Sequence, residues 1–205
     1  MTRKVLGIIG TYRKGRVIDT AVSEVLRGAA DSGADIQRID LLDAHVEFCT
    51  NCRTCTQEKD VGRRGTCVLQ DDMAEILDAI DAADGLVLGA PMNFYNVNAL
   101  TRRFMERLLP YAYWPWDAKM GPKLRVAKPA KKAVTVTATA CPTFLARLLT
   151  PGSRKALKTA ASMMGARVVG SLHYGGVPQT PDSTLDEKGL RKAYRAGEYL
   201  VSRIS

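Results

Sequence analysis

Apolar residues recur along this chain in two rhythms, every second residue and every third or fourth, and the alternation of the two sets the fold class. Residues 4–10, KVLGIIG, are a short apolar run ending in glycine, the pattern of a strand buried on both faces. Residues 17–33 then place Val17, Ile18, Ala21, Val22, Val25 and Leu26 at helical spacing, with Gly33 as the stop. Residues 34–42, ADIQRIDLL, alternate polar positions with Ile36, Ile39 and Leu41, as a strand near a sheet edge would. After an irregular cysteine-rich stretch, residues 71–83 set Met73, Ile76, Leu77 and Ile80 on one helical stripe, with Asp71 or Asp72 placed to cap the first turn. Further strands are predicted at 84–91, 131–140 and 166–176, and further helices at 98–109, 152–165 and 186–204. Pro110 stops the helix before it, while Gly189 and Gly197 weaken the last helical pattern.

Five strands thus alternate with about five helices. Such alternation demands parallel pairing through right-handed crossovers, with helices on both faces of one sheet. The 205 residues predict one α/β domain, 1–205, carrying a cysteine-rich loop at about 47–70 and an aromatic and basic loop at about 110–130. No internal repeat or low-complexity segment interrupts it.

Composition adds limits. At 46% hydrophobic and 25% charged, the chain can bury an ordinary core, and no apolar run reaches the roughly 18 residues of a membrane span. The start, MTRKVLGIIG, reads as a first strand rather than a signal peptide, so a reducing, cytoplasmic setting is expected. There the five cysteines are thiols or metal ligands rather than disulfides. Thirty Lys and Arg against 21 Asp and Glu leave a charge of +9. That surplus favours an anionic partner such as a phosphate or nucleotide, or is a plain solvated basic surface. Nucleic acid is not the expected partner, because no helix-turn-helix or basic aromatic platform is present.

Ligands of open α/β sheets sit beyond the carboxyl ends of the strands, and three loops lie there. The first, GTYRKGRVIDT at 10–20, offers Thr11, the charges of Arg13, Lys14 and Arg16, a turn at Gly15, and the free N–H groups that open the next helix. These suit a phosphate. The loop matches neither the P-loop nor the G-x-G-x-x-G fingerprint. The second, at 89–107, carries Pro91, Met92, Asn93, Phe94 and Tyr95, which can wrap a flat heterocycle or supply aromatics to the core. The third, TATACPTFL at 137–145, ends in small residues around Thr139, Ala140 and Cys141 that leave room for a planar ligand. Neither histidine, His45 or His173, is placed to activate Cys141, so that cysteine reads as structural.

In LGIIGTYRKGRVIDTAV, CTNCRTC…GTCVLQDDM, DGLVLGAPMNFYNVNALTRRFMER and KKAVTVTATACP, the chain resembles the flavodoxin-fold NAD(P)H-dependent FMN reductases, iron–sulfur flavoproteins included. The resemblance covers about residues 3–176 and rests on a G-S/T-x-R loop followed in register by a later proline-containing loop. It implies a flavodoxin-like three-layer α/β/α fold with a five-stranded parallel sheet in the order 2-1-3-4-5. It also implies FMN, with NAD(P)H as electron donor, a quinone, free flavin or similar small molecule as acceptor, and a homodimer or higher homo-oligomer. By position, Thr11, Arg13, Lys14, Gly15, Arg16, Val17 and Ile18 would hold the phosphate. Pro91 to Tyr95 would line the flavin ring, and Thr139, Ala140 and Cys141 would flank it. Many members carry hydroxyl and amide side chains where this chain has Arg16, Val17 and Ile18, so backbone N–H groups and arginine must compensate. Asp19 has no part in a phosphate site and is expected on the far side of its helix. No catalytic acid or base is named, because the flavin carries the chemistry.

Cys49, Cys52 and Cys55 stand at strict three-residue spacing, and Cys67 follows after eleven intervening residues. Three close thiolates and one remote suit a 4Fe–4S cluster. Zinc more often takes two separated pairs. The long basic gap, TQEKDVGRRGT, favours instead a thiol-rich loop near the flavin, with the cluster the alternative and zinc third. The aromatic loop, with Tyr111, Tyr113, Trp114 and Trp116, would cover the flavin, form a dimer contact or pack on the surface.

Overall fold

The structure, a computed structural model, describes residues 2–59, 62–126, 128–142, 144–146 and 151–204. Asp60 and Val61 of the long cysteine gap, Ala127 of the basic segment and Thr143 of the third loop lie outside the described residues. In chain order the elements are β1 (Lys4–Ile9), α1 (Val17–Asp31), β2 (Asp35–Asp40), α2 (Met73–Ala82), β3 (Gly85–Asn93), β4 (Asn96–Val97) and α3 (Ala99–Glu106). There follow β5 (Ala112–Tyr113), β6 (Lys123–Leu124), β7 (Lys131–Thr139), α4 (Gly152–Met163), β8 (Ala166–Gly175) and α5 (Glu187–Arg203).

The five long strands pair in parallel in the order β2-β1-β3-β7-β8, the flavodoxin-like order. Successive side chains of each central strand point to opposite faces. Val5, Ile9, Val87, Val134 and Val136 enter one apolar cluster with α1 and α5. Leu6, Ile8, Leu86, Leu88 and Ala133 enter the other with α2, α3 and α4. Burial of both faces explains why these strands read as continuous apolar runs. β2 is an edge, as its alternation implied, and most of it is exposed.

Helix ends follow local chemistry. Asp72 is the N-cap of α2 but makes no side-chain cap bond, accepting instead from His45 N–H at 2.7 Å, while Asp71 Oδ1 accepts the N–H of Met73, the first residue of the helix, at 3.1 Å. The helix predicted to 109 ends at Glu106. Pro110 has no N–H for a carbonyl one turn back, and the chain continues as a short 3₁₀ turn, Leu109–Tyr111. β4 folds back antiparallel on the end of β3, and β5 pairs antiparallel with β6 beside the cysteine loop.

Candidate functional site

Beyond the carboxyl ends of β1, β3 and β7 the three loops enclose a cleft of about 240 Å³. Thr11, Arg13, Arg16, Val17 and Ile18 form one wall. Pro91, Met92 and Asn93 form the second, and Ala138, Thr139 and Ala140 the third. Val177 and Pro178, just after β8, close the far side.

The first wall is a cradle of N–H groups left without acceptors among the described residues. Arg16 caps α1 in an extended conformation without a side-chain cap bond, and the N–H groups of Arg16, Val17 and Ile18 find no acceptor among the described residues. They carry the positive end of a 15-residue helix toward the cleft. The loop is fixed from below. Asn98, the N-cap of α3, donates from Nδ2 to the Gly10 carbonyl at 2.8 Å, and Thr101 Oγ1 donates to the same oxygen at 3.1 Å. Tyr12 adds a second tie, its hydroxyl accepting the Leu100 N–H at 3.2 Å.

Not every expected residue faces the cleft. Lys14 turns outward to Asp43 at 2.6 Å, a bond that raises its pKa. Gly15 gives its N–H to the Asp19 carboxylate. The expectation for Asp19 is therefore corrected: it lies on the loop side of α1, buried, and its other oxygen accepts from Arg38 of β2. A carboxylate in the first helical turn reaches back to the N–H groups before the helix, and Arg38 neutralises it there. Arg13 donates to the Pro181 carbonyl and Arg16 to the Asp182 carboxylate, so the loop after β8 is tied to the cradle.

Phe94 and Tyr95 are neither core nor cleft lining. They form the two-residue tip of the β3–β4 hairpin, with φ of 47° and 64° and exposures of 99% and 73%. Two-residue hairpins favour positive φ at both tip positions, and here that turns both rings into solvent. Cys141 stands just past the lining, its N–H on Thr139 Oγ1 at 3.2 Å and its carbonyl accepting from Gly176 at 2.9 Å. His173 bonds Thr137 at 2.7 Å and His45 pairs with Glu47 at 3.0 Å, so neither histidine activates that thiol.

The other four cysteines are free thiols as well. Burial pushes the Cys55 thiol up to about 11, and the negative charges Cys67, Cys49 and Cys52 would carry push the same way. All four sulfurs therefore share one electrostatic neighbourhood. Cys52 is shifted the other way, its thiolate favoured by the Thr54 hydroxyl at 3.5 Å. Buried Arg107 donates from Nη2 to Cys67 Sγ at 3.6 Å. Among the described residues, no three His, Cys, Asp or Glu side chains gather closely enough to hold a single metal ion.

A sequence profile described as NADPH-dependent FMN reductase matches residues 3–174. The chain belongs to this family. An iron–sulfur flavoprotein of Archaeoglobus fulgidus is 30% identical over 116 residues, covering 55% of this chain and 48% of that protein. An iron–sulfur flavoprotein of Methanocaldococcus jannaschii is 35% identical over 107 residues, 52% of each chain. The match thus spans about half the length of these relatives. Among solved structures, an NAD(P)H:quinone oxidoreductase from Methanothermobacter marburgensis superposes with a TM-score of 0.68 at 16% identity, covering 98% of both chains. An FMN-dependent NADH-azoreductase from Bacillus anthracis, in complex with FMN, gives 0.66 at 16% identity over 99% of both. At such identities the likeness carries the flavodoxin-like fold.

For an FMN reductase family member the cleft passes a chemical test. A phosphate needs unspent N–H donors, which the start of α1 supplies. A flat ring needs apolar walls with few competing charges, which Pro91, Met92, Ala138, Ala140, Val177 and Pro178 supply. Tyr12, Val177, Pro178 and the Asn98–Thr101 pair are the site residues that the sequence reading missed. Asn98 was legible as an N-cap three residues ahead of Thr101, but the loop after β8 carries no local motif. No helix among the described residues is long and apolar enough to cross a membrane.

Proposed function

We propose that the protein binds FMN in this cleft and acts as an NAD(P)H-dependent oxidoreductase on a quinone, a free flavin or a similarly small acceptor. One observation carries the reading: the unbonded N–H groups of Arg16, Val17 and Ile18 open onto the same cleft as the apolar ends of β3 and β7. Bound FMN would supply the hydride and electron chemistry. The chain's own residues bind and orient. Thr11 and the helix N-terminus hold the phosphate, with Arg13 and Arg16 adding charge; Val17 and Ile18 contribute backbone only. Lys14 and Gly15 shape the turn. Pro91, Met92 and Asn93, with Ala138, Thr139 and Ala140, would line the ring, Cys141 standing just past them and Phe94 and Tyr95 at the nearby hairpin tip. A homodimer would cover those two exposed rings, which light scattering checks. FMN should bind at least about tenfold more tightly than riboflavin, since the latter lacks the anion a helix N-terminus favours. Flavin fluorescence titration measures this; equal affinities would remove the phosphate cradle, and no binding of either the whole reading.

A second reading makes the chain an iron–sulfur flavoprotein electron carrier, with a 4Fe–4S cluster on Cys49, Cys52, Cys55 and Cys67. The close packing of Gly65, two residues before Cys67, on the Cys55 carbonyl favours it, as do the names of the archaeal relatives. A cluster places each thiolate on a different iron, so its ligands need not meet at single-ion distance. Iron and sulfide assay after anaerobic reconstitution decides between the readings.

A further inference from the structure

The cysteine turn is built with more care than a flavin cleft requires. Asn51 and Arg53, each between two cysteines, sit in the left-handed region with φ of 55° and 60°. Asparagine visits that region readily, but arginine avoids it and persists there only where its surroundings over-determine it.

Arg53 is held at its carbonyl, at its ring-stacked face and at Nη2, while Nε finds no partner among the described residues. Its carbonyl accepts from the Thr56 N–H at 2.9 Å, the Thr56 hydroxyl at 2.8 Å and Gln57 Nε2 at 3.0 Å. Its guanidinium lies 3.6 Å from the Trp114 ring centroid and 4.1 Å from that of Trp116. Its Nη2 donates to the carbonyls of Trp114 at 2.6 Å and Pro115 at 3.0 Å. The loop answers in kind, with Trp114 N–H on the Thr56 carbonyl at 2.9 Å and Trp116 N–H on Gln57 Oε1 at 3.0 Å. From the β5–β6 ribbon, Arg125 donates to the carbonyls of Cys55 at 3.2 Å and Lys59 at 3.0 Å. The return strand lies against the turn because residue 65 is glycine: a Cβ there would stand 2.0 Å from the Cys55 carbonyl oxygen. Cys67 follows two residues later. The chain's two tryptophans are both spent on this clamp, and neither lines the flavin cleft. The aromatic loop, expected to cover the flavin, form a dimer contact or pack on the surface, packs here against the cysteine turn.

We propose that Arg53 is a positioning residue: clamped by Trp114 and Trp116, it presets Cys49, Cys52, Cys55 and Cys67 in the arrangement that receives an iron–sulfur cluster. The proposal rests on the iron–sulfur reading above. An arginine is required because one planar group stacks on aromatic faces while its edge donates to two carbonyls; a lysine keeps the charge and loses both.

The test compares wild type, Arg53→Lys and Trp114→Phe, all purified anaerobically and freed of metal. N-ethylmaleimide modification of each cysteine is followed by mass spectrometry, and iron, sulfide and the cluster's electron paramagnetic resonance signal are measured after reconstitution. In Arg53→Lys, half-buried Cys55 should be modified at least about tenfold faster, as local opening exposes it. Cluster content should fall in parallel, with FMN affinity unchanged. Trp114→Phe keeps an aromatic face and should stay close to wild type in all three readouts. Equal Cys55 modification in wild type and Arg53→Lys, with clusters in both, overturns the clamp alone. A wild type that takes up no iron overturns the iron–sulfur reading and this purpose for the clamp with it.

Discussion

Arg107 and Asp71 place a full ion pair where water barely reaches, with side-chain exposures of 2% and 0%. Such a pair is tolerable when most of its remaining donors and acceptors are met, and of its atoms Arg107 Nε lacks a partner among the described residues. Arg107 Nη2 reaches Asp71 Oδ1 at 3.0 Å, and Nη1 reaches the Glu47 carbonyl at 2.8 Å. Asp71 also accepts the N–H groups of Glu47 at 2.7 Å and Met73 at 3.1 Å. Burial alone would push the Asp71 carboxyl up; Arg107 and those N–H groups prevail and hold it below its ordinary 3.8. Arg107→Met would strand that carboxylate and should cost about 3–5 kcal/mol in urea denaturation. The double variant Arg107→Met, Asp71→Asn removes the stranded charge. It should lose less than the sum of the two single variants, and strict additivity would show that the pair is not coupled. In sequence, Arg107 is one more basic residue at a helix end. Its partner lies 36 positions upstream, and no local pattern joins them.

Helices α1 and α5 approach so closely that glycine becomes obligatory. A Cβ on Gly197 would stand 2.0 Å from the Val25 carbonyl oxygen, and one on Gly28 would stand 2.1 Å from that of Tyr194. By propensity alone, Gly197→Ala in a helix should gain about 1 kcal/mol. The backbone contact reverses the sign, and Gly197→Ala should lose about 1–3 kcal/mol as the helices are forced apart; a stabilised variant in urea would refute the close approach. The same contrast separates what was legible from what was not. The five long strands and their helices were legible because burial on fixed faces imprints a period on the sequence. β4, β5 and β6 have two residues each, too few to show any period. The hairpin tip was hidden because Phe94 and Tyr95 adopt positive φ without the glycine or asparagine that normally announces it.

At the scale of the molecule, parallel order brings the ends of β1, β3 and β7 side by side, so three loops distant in sequence form one cleft. That much follows from topology. The ties from Arg13 and Arg16 to Pro181 and Asp182 do not, because they depend on the path of the loop between β8 and α5, which carries no local motif. The edge strand β8 adds a pH dependence to the whole fold. His173 is partly buried beside Thr137, and its Nε2 meets no partner among the described residues. Burial lowers its pKa from the ordinary 6.5, with Arg154 and Lys192 pushing the same way. A histidine with a depressed folded pKa is neutral in the native state at pH values where the unfolded chain is already protonated. Stability is therefore complete above 6.5 and declines as acid takes the pH through and below that value. The slope must stay below the roughly 1.4 kcal/mol per pH unit of one whole proton, since solvent reaches part of the ring. Urea denaturation of wild type and His173→Gln at a series of pH values from neutral downward measures it. The variant should lose part of the decline below 6.5 while matching the wild-type slope above it. Superimposable profiles would mean that protons enter elsewhere and that His173 is charged in the native state without cost.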